Sequence, residues 1–316
     1  MPKVSKELKI ISYDYSLKER TFGRLNFIIK VLLDRYFRPK RNKPLNLKVD
    51  REIKYKNIDF KECLITCYFT NLKDPIKGFV RKNPDINYIA PWYNSVRSLG
   101  LNGIIVHDGL TEEFISKYET EKILFIKYKP GRYSIFEERW MAYFLILKNS
   151  TIRNVFITDA NDITVNSNPF ERHRNKDLLY VGRDQANRVG DSQWILDEMN
   201  NFIEESNYKV NPIVLNQILF NAGILGGEVK TVLPIIQRII SLTLLTDSDV
   251  HKDMSLLNIA ISELIKPKIS LSYYQDKLVN PKKDFGLKIK GICTGYPLNS
   301  AFQAFETNSQ ATFTHK

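Results

Sequence analysis

The chain has 316 residues, of which 43% are hydrophobic, and a formal net charge of +12. This length and composition are typical of a packed, enzyme-sized protein and exclude a disordered one. Its apolar runs are much shorter than the ~20 residues that span a bilayer, and the sequence opens without a secretion leader, so we expect a cytoplasmic protein.

Residues 1–60 carry most of the excess charge, with 16 Lys and Arg against seven Asp and Glu. Such a segment can be a solvated face, or it can attract a polyanion or an anionic membrane surface. Within it, Phe22–Phe37 has the spacing of an amphipathic helix, which could pack on the main domain or lie at a membrane surface. Arg38–Pro44 reads as a basic linker with two prolines.

We therefore expect a basic N-terminal segment and linker over residues 1–60 and one α/β domain over residues 61–316. Outside the N-terminal segment the chain is nearly neutral, and no recognised nucleic-acid-binding motif occurs in it. Nucleic acid is accordingly not an expected partner. Peripheral association with a membrane through residues 1–60 stays open.

Strands and helices alternate along residues 61–316. The first predicted strand, Glu62–Thr70, contains Cys63 and Cys67. Together with Cys293, these are expected to be packing residues, because their spacing fits neither a metal site nor an even set of disulfides. The later strands are predicted at Gly103–Asp108, Ile123–Tyr128, Val155–Ile157, Ile163–Val165, Leu178–Gly182 and within Asn216–Gly227, with helices at Ser134–Lys148 and from about Val229 through Leu244.

This order predicts an α/β fold in which a Rossmann-like mixed sheet is flanked by helices. The sequence contains neither GxGxxG nor GxxxxGK[ST]. The sequence therefore lacks the glycine-rich phosphate loops that would indicate a dinucleotide dehydrogenase or a P-loop ATPase.

Two carboxylates, Asp159 and Asp162, follow directly on an apolar strand. Ligands of open α/β sheets bind at the carboxyl ends of strands, and close carboxylates repel each other unless a cation lies between them. A hard divalent ion that also takes phosphate oxygens fits this pattern. Because the two acids are three residues apart, they can face one ion only if the chain turns at Ala160 and Asn161. The alternative is that Asp159 caps a turn and Asp162 is solvated.

Further candidate residues follow in a fixed order along the chain, and each also has a structural interpretation. Arg139 could meet phosphates or pair with a Glu of its own helix. Asp253 could act as a general base or cap a helix. Trp92, Tyr93 and Trp194 could stack on a ligand or pack in the core. The segment Asn221–Gly227 could be a buried strand, and His315 could fray at the terminus. His107, His173 and His251 have no metal spacing, and we assign them no role.

In this order, the segments resemble the GT-A glycosyltransferases, which transfer sugars from nucleotide-diphosphate donors. The resemblance covers roughly Glu62 to Lys316 and is carried by TNxxDP from Thr70, Arg139, DAND from Asp159, NAGILGG from Asn221, DMSLLN from Asp253 and the late His315. The NAG and DxxxxN segments are similar to those of glycogenin-like enzymes. The acidic motif departs from DxD and is similar to the TDxxD of plant and large-virus transferases.

The resemblance implies a metal-dependent hexosyl- or pentosyltransferase of glycan biosynthesis, with manganese or magnesium, a nucleotide-sugar donor and a glycan or glycoconjugate acceptor. The implied metal ligands are Asp159, Asp162 and His315; the donor-binding residues are Thr70, Asn71, Asp74, Arg139, Asp159, Ala160 and Lys316. Ala222, Gly223, Asn258 and Trp194 are implied substrate contacts, and Asn221 and Asp253 catalytic residues. The alternatives are a nucleotidyltransferase acting on sugar phosphates and a non-catalytic protein that binds a polyanion or membrane surface.

Overall fold

The computed structural model describes residues 47, 49–54, 58–81, 83–173, 179–184, 188–217, 219–247, 250–264, 289–292 and 312–315. By the contacts between its residues, the chain divides into two compact units, Met1–Lys48 and Val49–Lys316. The predicted helix Phe22–Phe37, the linker Arg38–Pro44, Cys293 and Lys316 lie outside the described residues.

The second unit is built on an eight-stranded mixed sheet, with the strand order β1-β4-β3-β2-β5-β8-β7-β9. The four adjacent strands β4, β3, β2 and β5 are parallel to one another. Strand β8 runs antiparallel to both β5 and β7. The strands are β1 (Glu52–Ile53), β2 (Glu62–Tyr68), β3 (Gly103–His107), β4 (Ile123–Lys129), β5 (Asn154–Thr158), β6 (Ile163–Val165), β7 (Leu179–Arg183), β8 (Phe220–Glu228), β9 (Ile289–Ile292) and β10 (Phe313–His315). The predicted mixed α/β class is confirmed.

Seven helices are described besides two short 3₁₀ turns. They are α1 (Ile86–Ser98), α2 (Glu112–Tyr118), α3 (Ile135–Lys148), α4 (Pro169–Arg172), α5 (Gln193–Ser206), α6 (Val229–Thr243) and α7 (Asp253–Leu264). Their starts follow ordinary capping chemistry: the side chain of Ser134 accepts a hydrogen bond from the N–H of Phe136, and that of Thr111 accepts one from the N–H of Phe114. None of the described helices is long and apolar enough to cross a membrane.

Four of these helices, α1, α2, α4 and α5, were not predicted from the sequence. Helix α1 contains Pro91, a residue that normally interrupts a helix because it has no N–H to donate. The helix is stabilised by burial instead: Trp92 is completely buried, and its indole Nε1 donates to the Thr158 hydroxyl at 2.7 Å. Trp92 and Tyr93 are therefore core residues, so the packing interpretation holds for both.

The edge strand β1 lies in the second unit, although the sequence analysis placed it with the N-terminal segment. It pairs antiparallel with β4, with Glu52 opposite Lys129. Next to it, the Arg51 guanidinium bonds to both carboxylate oxygens of the fully buried Glu138 on α3, at 3.0 and 3.1 Å. A buried carboxylate needs such a partner, so Arg51 ties this edge to the helix layer.

Two irregularities in the strands position the candidate site. The chain bends at Ala160–Asp162 between β5 and β6, as the spacing of the two acids required. In β8, the register with β7 passes from Val181 opposite Leu225 to Gly182 opposite Asn221. Three residues of β8, Ala222 to Ile224, are thereby inserted beside the end of β5, and such bulges commonly aim residues at a site.

Candidate metal centre and adjoining pocket

Asp159, Asp162 and His315 come together at the carboxyl end of β5. Each offers one ligand atom, and the three atoms lie within 4.8 Å of one another. His315 Nε2 is 3.3 Å from Asp162 Oδ2 and 3.9 Å from Asp159 Oδ2. The predicted trio is thus assembled from two distant parts of the chain, at a spacing that one cation could bridge.

His315 reaches the two acids because β10 pairs antiparallel with β6, which places His315 opposite Ile163. The strand is anchored by Phe313, which is fully buried and packs on the Phe156 ring at 5.5 Å. The hydroxyl of Thr312 contacts His173 Nε2 at 3.0 Å. Residues 312–315 are therefore packed in place and do not fray, and His173, which had no predicted role, helps to hold them.

Two observations show that the trio is suited to a cation. Asp162 Oδ1 is buried, and among the described residues it has no hydrogen-bond partner, which is costly for a carboxylate oxygen. At Gly223, a Cβ would come within 2.6 Å of His315 Cε1 and 2.8 Å of Asp159 Oδ2. The glycine leaves room for two ligands to converge, and the free oxygen leaves a coordination position for a metal ion.

The electrostatics of His315 reflect the two acids. Burial lowers the pKa of its imidazole, but the hydrogen bond to Asp162 and the charges of Asp159 and Asp162 outweigh burial, so the pKa is raised. A cation bound between the carboxylates would reverse this effect, because it favours the neutral imidazole that can serve as a ligand.

Arg139 on α3 connects the trio to the interior. Its Nη1 bonds to Asp159 Oδ1, and its Nη2 bonds to Asp253 Oδ2 and lies 3.4 Å from the Ala222 carbonyl oxygen. Burial lowers the pKa of the guanidinium, yet the charges of Asp159 and Asp253 raise it overall. Arg139 thus pairs with acids of two other elements and not with a Glu of its own helix.

Asp253 begins α7 and is almost completely buried, with only 2% of its side chain exposed. Oδ1 contacts His251 Nε2 while Oδ2 is bound to Arg139. Burial raises the pKa of this carboxyl, but the charges of Arg139 and His251 lower it below its usual value. With both oxygens in ion pairs, Asp253 is placed to hold Arg139, whereas the resemblance implied a catalytic residue.

The His251 imidazole lies between the carboxylates of Asp253 and Glu198 and is flanked by two aromatic rings. Its Nδ1 is 3.4 Å from Glu198 Oε1, and its ring lies 4.2 Å from that of Phe136 and 5.7 Å from that of Trp194. Burial lowers the pKa of His251, but Asp253 and Glu198 raise it to about 9. Burial in turn raises the pKa of Glu198 to about 7, although His251 opposes it.

A pocket of about 220 Å³ adjoins the candidate metal centre, which is the cluster of Asp159, Asp162 and His315. Its wall includes the four residues Asp159–Asp162. Three cationic side chains, Lys77, Arg81 and Arg139, also line it, as do the rings of Tyr88 and Phe136. The guanidinium of Arg81 lies over the Tyr88 ring at 4.1 Å. A cavity that combines cationic side chains and aromatic faces with a candidate metal site suits an anionic ligand with a planar ring.

The residues of the loop after β2 that were expected to bind the donor are hydrogen-bonded within the protein. Asp108 accepts hydrogen bonds from the N–H groups of Thr70, Asn71 and Leu72, and from the Thr70 hydroxyl. Asp74 accepts from the N–H groups of Ile76 and Lys77 and pairs with Arg81 at 3.1 Å. Of the predicted donor residues in this loop, Asp74 lines the pocket, whereas the polar side chains of Thr70 and Asn71 both bond to Asp108.

Asn258 is completely buried in α7, which corrects its expected contact with substrate. Its Oδ1 accepts from the N–H of Phe220 at 3.0 Å and from Gln217, and its Nδ2 donates to the carbonyl oxygens of Phe220 and Met254. An amide with all four positions occupied joins β8 to α7 and has none left for a ligand.

Asn221 and Trp194 occupy very different environments. Asn221 is buried, donates to Asp184 at 3.0 Å and accepts from the N–H of Gly223 at 2.7 Å, which fixes the glycine beside the metal centre. Trp194, at the start of α5, keeps 49% of its surface exposed. Of the predicted substrate contacts, Trp194 is the one with a large accessible face.

Sequence reasoning missed Asp108, Arg81, His251 and Glu198. Asp108 and Arg81 belong to the loops at the ends of β2 and β3, where polar residues converge, so their positions carried a usable signal. Glu198 carried none, because His251, which it faces, lies far away in sequence. His251 lies two residues before Asp253, which its ring contacts, so that pair was open to sequence reasoning.

No protein-family model matches the chain, and no curated protein matches it in sequence. Among solved structures, the chain is similar to the galactosyltransferase LgtC, determined in complex with donor and acceptor sugar analogues, with a TM-score of 0.40 and 13% sequence identity. The similarity covers 62% of this chain and 69% of that one.

Proposed function

We propose that the protein is a metal-dependent glycosyltransferase of GT-A type, which moves a sugar from a nucleotide-diphosphate donor to a hydroxyl of a glycan or glycoconjugate. The observation that carries the proposal is the Asp159–Asp162–His315 cluster at a strand end, with a buried, unpartnered Asp162 oxygen, beside a pocket with three cations. Manganese or magnesium is the proposed ion, because carboxylates with one imidazole suit such ions in the presence of phosphate.

In the proposed reaction, the bond between the sugar carbon and the diphosphate oxygen breaks, and a bond to the acceptor oxygen forms. The acceptor proton is released, and the nucleoside diphosphate leaves. A bound divalent cation would supply Lewis-acid neutralisation of the leaving diphosphate. Asp159, Asp162 and His315 would hold that cation.

The chain's own cations would hold the rest of the donor. Lys77 and Arg81, from the loop after β2, line the pocket together with Arg139 of α3, and Phe136 and Tyr88 offer ring faces for the base. Fixed cations aimed at developing charge are effective because they need no reorganisation during the reaction. Gly223 and Ala222 present backbone close to the metal centre, where a sugar ring could approach.

The proposal is tested by measuring binding, hydrolysis and transfer with a panel of UDP-, GDP- and dTDP-sugars, with and without Mn²⁺. We expect one donor class to bind and to release a nucleoside diphosphate only when the metal is present. Release of pyrophosphate from a nucleoside triphosphate and a sugar phosphate would instead identify a nucleotidyltransferase. A protein that binds no nucleotide sugar in the panel would refute the proposal.

A further inference from the structure

A chain of alternating charges runs from the metal centre into the protein. It begins at Asp159, continues through Arg139 and Asp253, and ends with His251 and Glu198. These residues come from the bend after β5, from α3, from the start of α7 and from α5. Four parts of the fold therefore meet through ion pairs at one point.

Every interior member of the chain depends on its neighbours. The exposed side-chain fractions are only 10% for Arg139, 2% for Asp253 and 12% for His251. Buried charges are tolerated when they are paired, and removing one partner leaves the other without compensation. Among the described residues, Arg139 Nε is buried without a partner, so the two Nη contacts to Asp159 and Asp253 set where the guanidinium lies.

The two ends of the imidazole face two acids. Nε2 contacts Asp253 and Nδ1 faces Glu198, and the imidazolium is the form that can donate to both. Phe136 stacks on one part of the ring, and Glu137, which is buried beside it, is bonded to Ser134 and to the N–H of Lys252. The ring is thus held in a single orientation toward Asp253.

We infer that His251 is a positioning residue for the metal centre: it fixes Asp253, which fixes Arg139, which turns Asp159 so that its Oδ2 faces Asp162 and His315. The inference rests on the proposed function, because it assigns the metal site a supporting chain. Outer partners of metal-binding carboxylates commonly change metal affinity about 10- to 100-fold when they are replaced. Asp253 then acts through Arg139 and takes no proton from the acceptor.

The test compares two polar replacements that reach different partners. The amide of His251→Gln extends to the position of Nε2 and can still donate to Asp253, whereas that of His251→Asn ends near Nδ1, on the Glu198 side. We expect Mn²⁺ affinity, measured by electron paramagnetic resonance without donor, to fall about tenfold in His251→Asn and to be recovered to within about threefold in His251→Gln. Equal Mn²⁺ affinities in the two variants would overturn the inference.

Arg139→Lys tests the same chain at its next link, so a poorly folded His251→Asn does not remove the test. A lysine offers one point charge where the guanidinium binds two acids, and we expect Mn²⁺ affinity to fall at least tenfold. An unchanged affinity in Arg139→Lys would also overturn the inference.

Arg238→Gln is the matched control. Arg238 pairs with Glu263 at 2.6 Å and with the Tyr208 hydroxyl, in a network of side chains separate from that of Arg139. We expect this variant to lower thermal stability and to leave Mn²⁺ binding unchanged. Wild-type protein that binds no Mn²⁺ would refute the proposed metal dependence itself, whereas wild-type binding with equal affinity in the two His251 variants would refute the positioning role alone.

Discussion

The loops that follow β2 and β5 lie at the ends of adjacent parallel strands, and both are rich in acids, yet their chemistry differs. In the loop after β2, the oxygens of Asp74 and of Asp108, which reaches over from the end of β3, are bonded to backbone N–H groups or to Arg81. In the bend after β5, Asp162 Oδ1 has no partner among the residues that the structure describes.

Whether the carboxylate oxygens have donors within the protein distinguishes acids that stabilise a loop from acids that are available to a ligand. A carboxylate whose oxygens all accept hydrogen bonds from the protein stabilises a loop, because it satisfies donors that would otherwise be buried unpaired. A buried carboxylate oxygen without a donor costs free energy unless something else supplies positive charge. The first loop is therefore expected to control stability, and the second to control metal binding.

The largest expected effect comes from Asp162→Asn. The amide keeps the shape of the side chain but removes its charge, so we expect Mn²⁺ binding to be lost and metal-dependent transfer to fall about 10³-fold. Thermal unfolding should stay cooperative, since the side chain has few protein partners. Mn²⁺ titration and turnover with the identified donor measure the effect.

Asp74→Asn is the matched change in the first loop. It removes the charge that pairs with Arg81, and we expect a loss of about 1 kcal/mol in unfolding free energy with Mn²⁺ affinity unchanged. The contrast between the loops would fail if Asp74→Asn abolished Mn²⁺ binding or if Asp162→Asn kept it.

The next largest effect is expected on stability, from Asp108→Ala. Without this carboxylate, the N–H groups of Thr70, Asn71 and Leu72 lose their acceptor in a part-buried loop. We expect the unfolding free energy to drop by about 3 kcal/mol, because several donors are left unpaired at once. Denaturant titration gives this value, and Mn²⁺ binding of the folded protein should persist; a drop in Mn²⁺ affinity at full stability would contradict the structural role.

Gly223→Ala crowds the metal centre directly. The new methyl group would lie 2.6 Å from His315 Cε1 and 2.8 Å from Asp159 Oδ2, so both ligands must move. We expect Mn²⁺ affinity to decrease about 10- to 100-fold, the range seen when metal ligands are misplaced by their surroundings.

Gly78→Ala supplies the comparison from the loop after β2. Gly78 has φ of +74° but no atom within 4 Å of an added Cβ, so the cost is backbone strain, about 1 kcal/mol, with no crowding. Its Mn²⁺ affinity should equal that of the wild type. If both alanine variants lose affinity equally, crowding at the ligands is not the cause.

The sequence predicted much of the sheet and the two acids of the metal trio for identifiable physical reasons, whereas His315 as a third ligand was implied only by the family resemblance. Apolar strands ended by Asp159 and Asp162 are local patterns, and the bend between them was required by their spacing. The roles of Asp253, Asn258 and Thr70 were not predictable from local patterns, because each depends on a partner far away in sequence: Arg139, Phe220 and Asp108, respectively. Helix α1 was missed since Pro91 argues against a helix that burial of Trp92 stabilises.

A small expected effect, that of Thr70→Val, tests whether the loop after β2 also binds the donor. The Thr70 hydroxyl donates to Asp108 Oδ1 at 3.2 Å, and valine removes that bond while it keeps the shape and the backbone N–H donor. We expect a loss of about 1 kcal/mol in unfolding free energy, because one neutral-to-charged hydrogen bond of several is removed. The KM for the donor should stay within about twofold, since the hydroxyl is engaged inside the protein. A tenfold rise in KM at unchanged stability would mean that Thr70 binds the nucleotide, and the loop after β2 would then belong to the site.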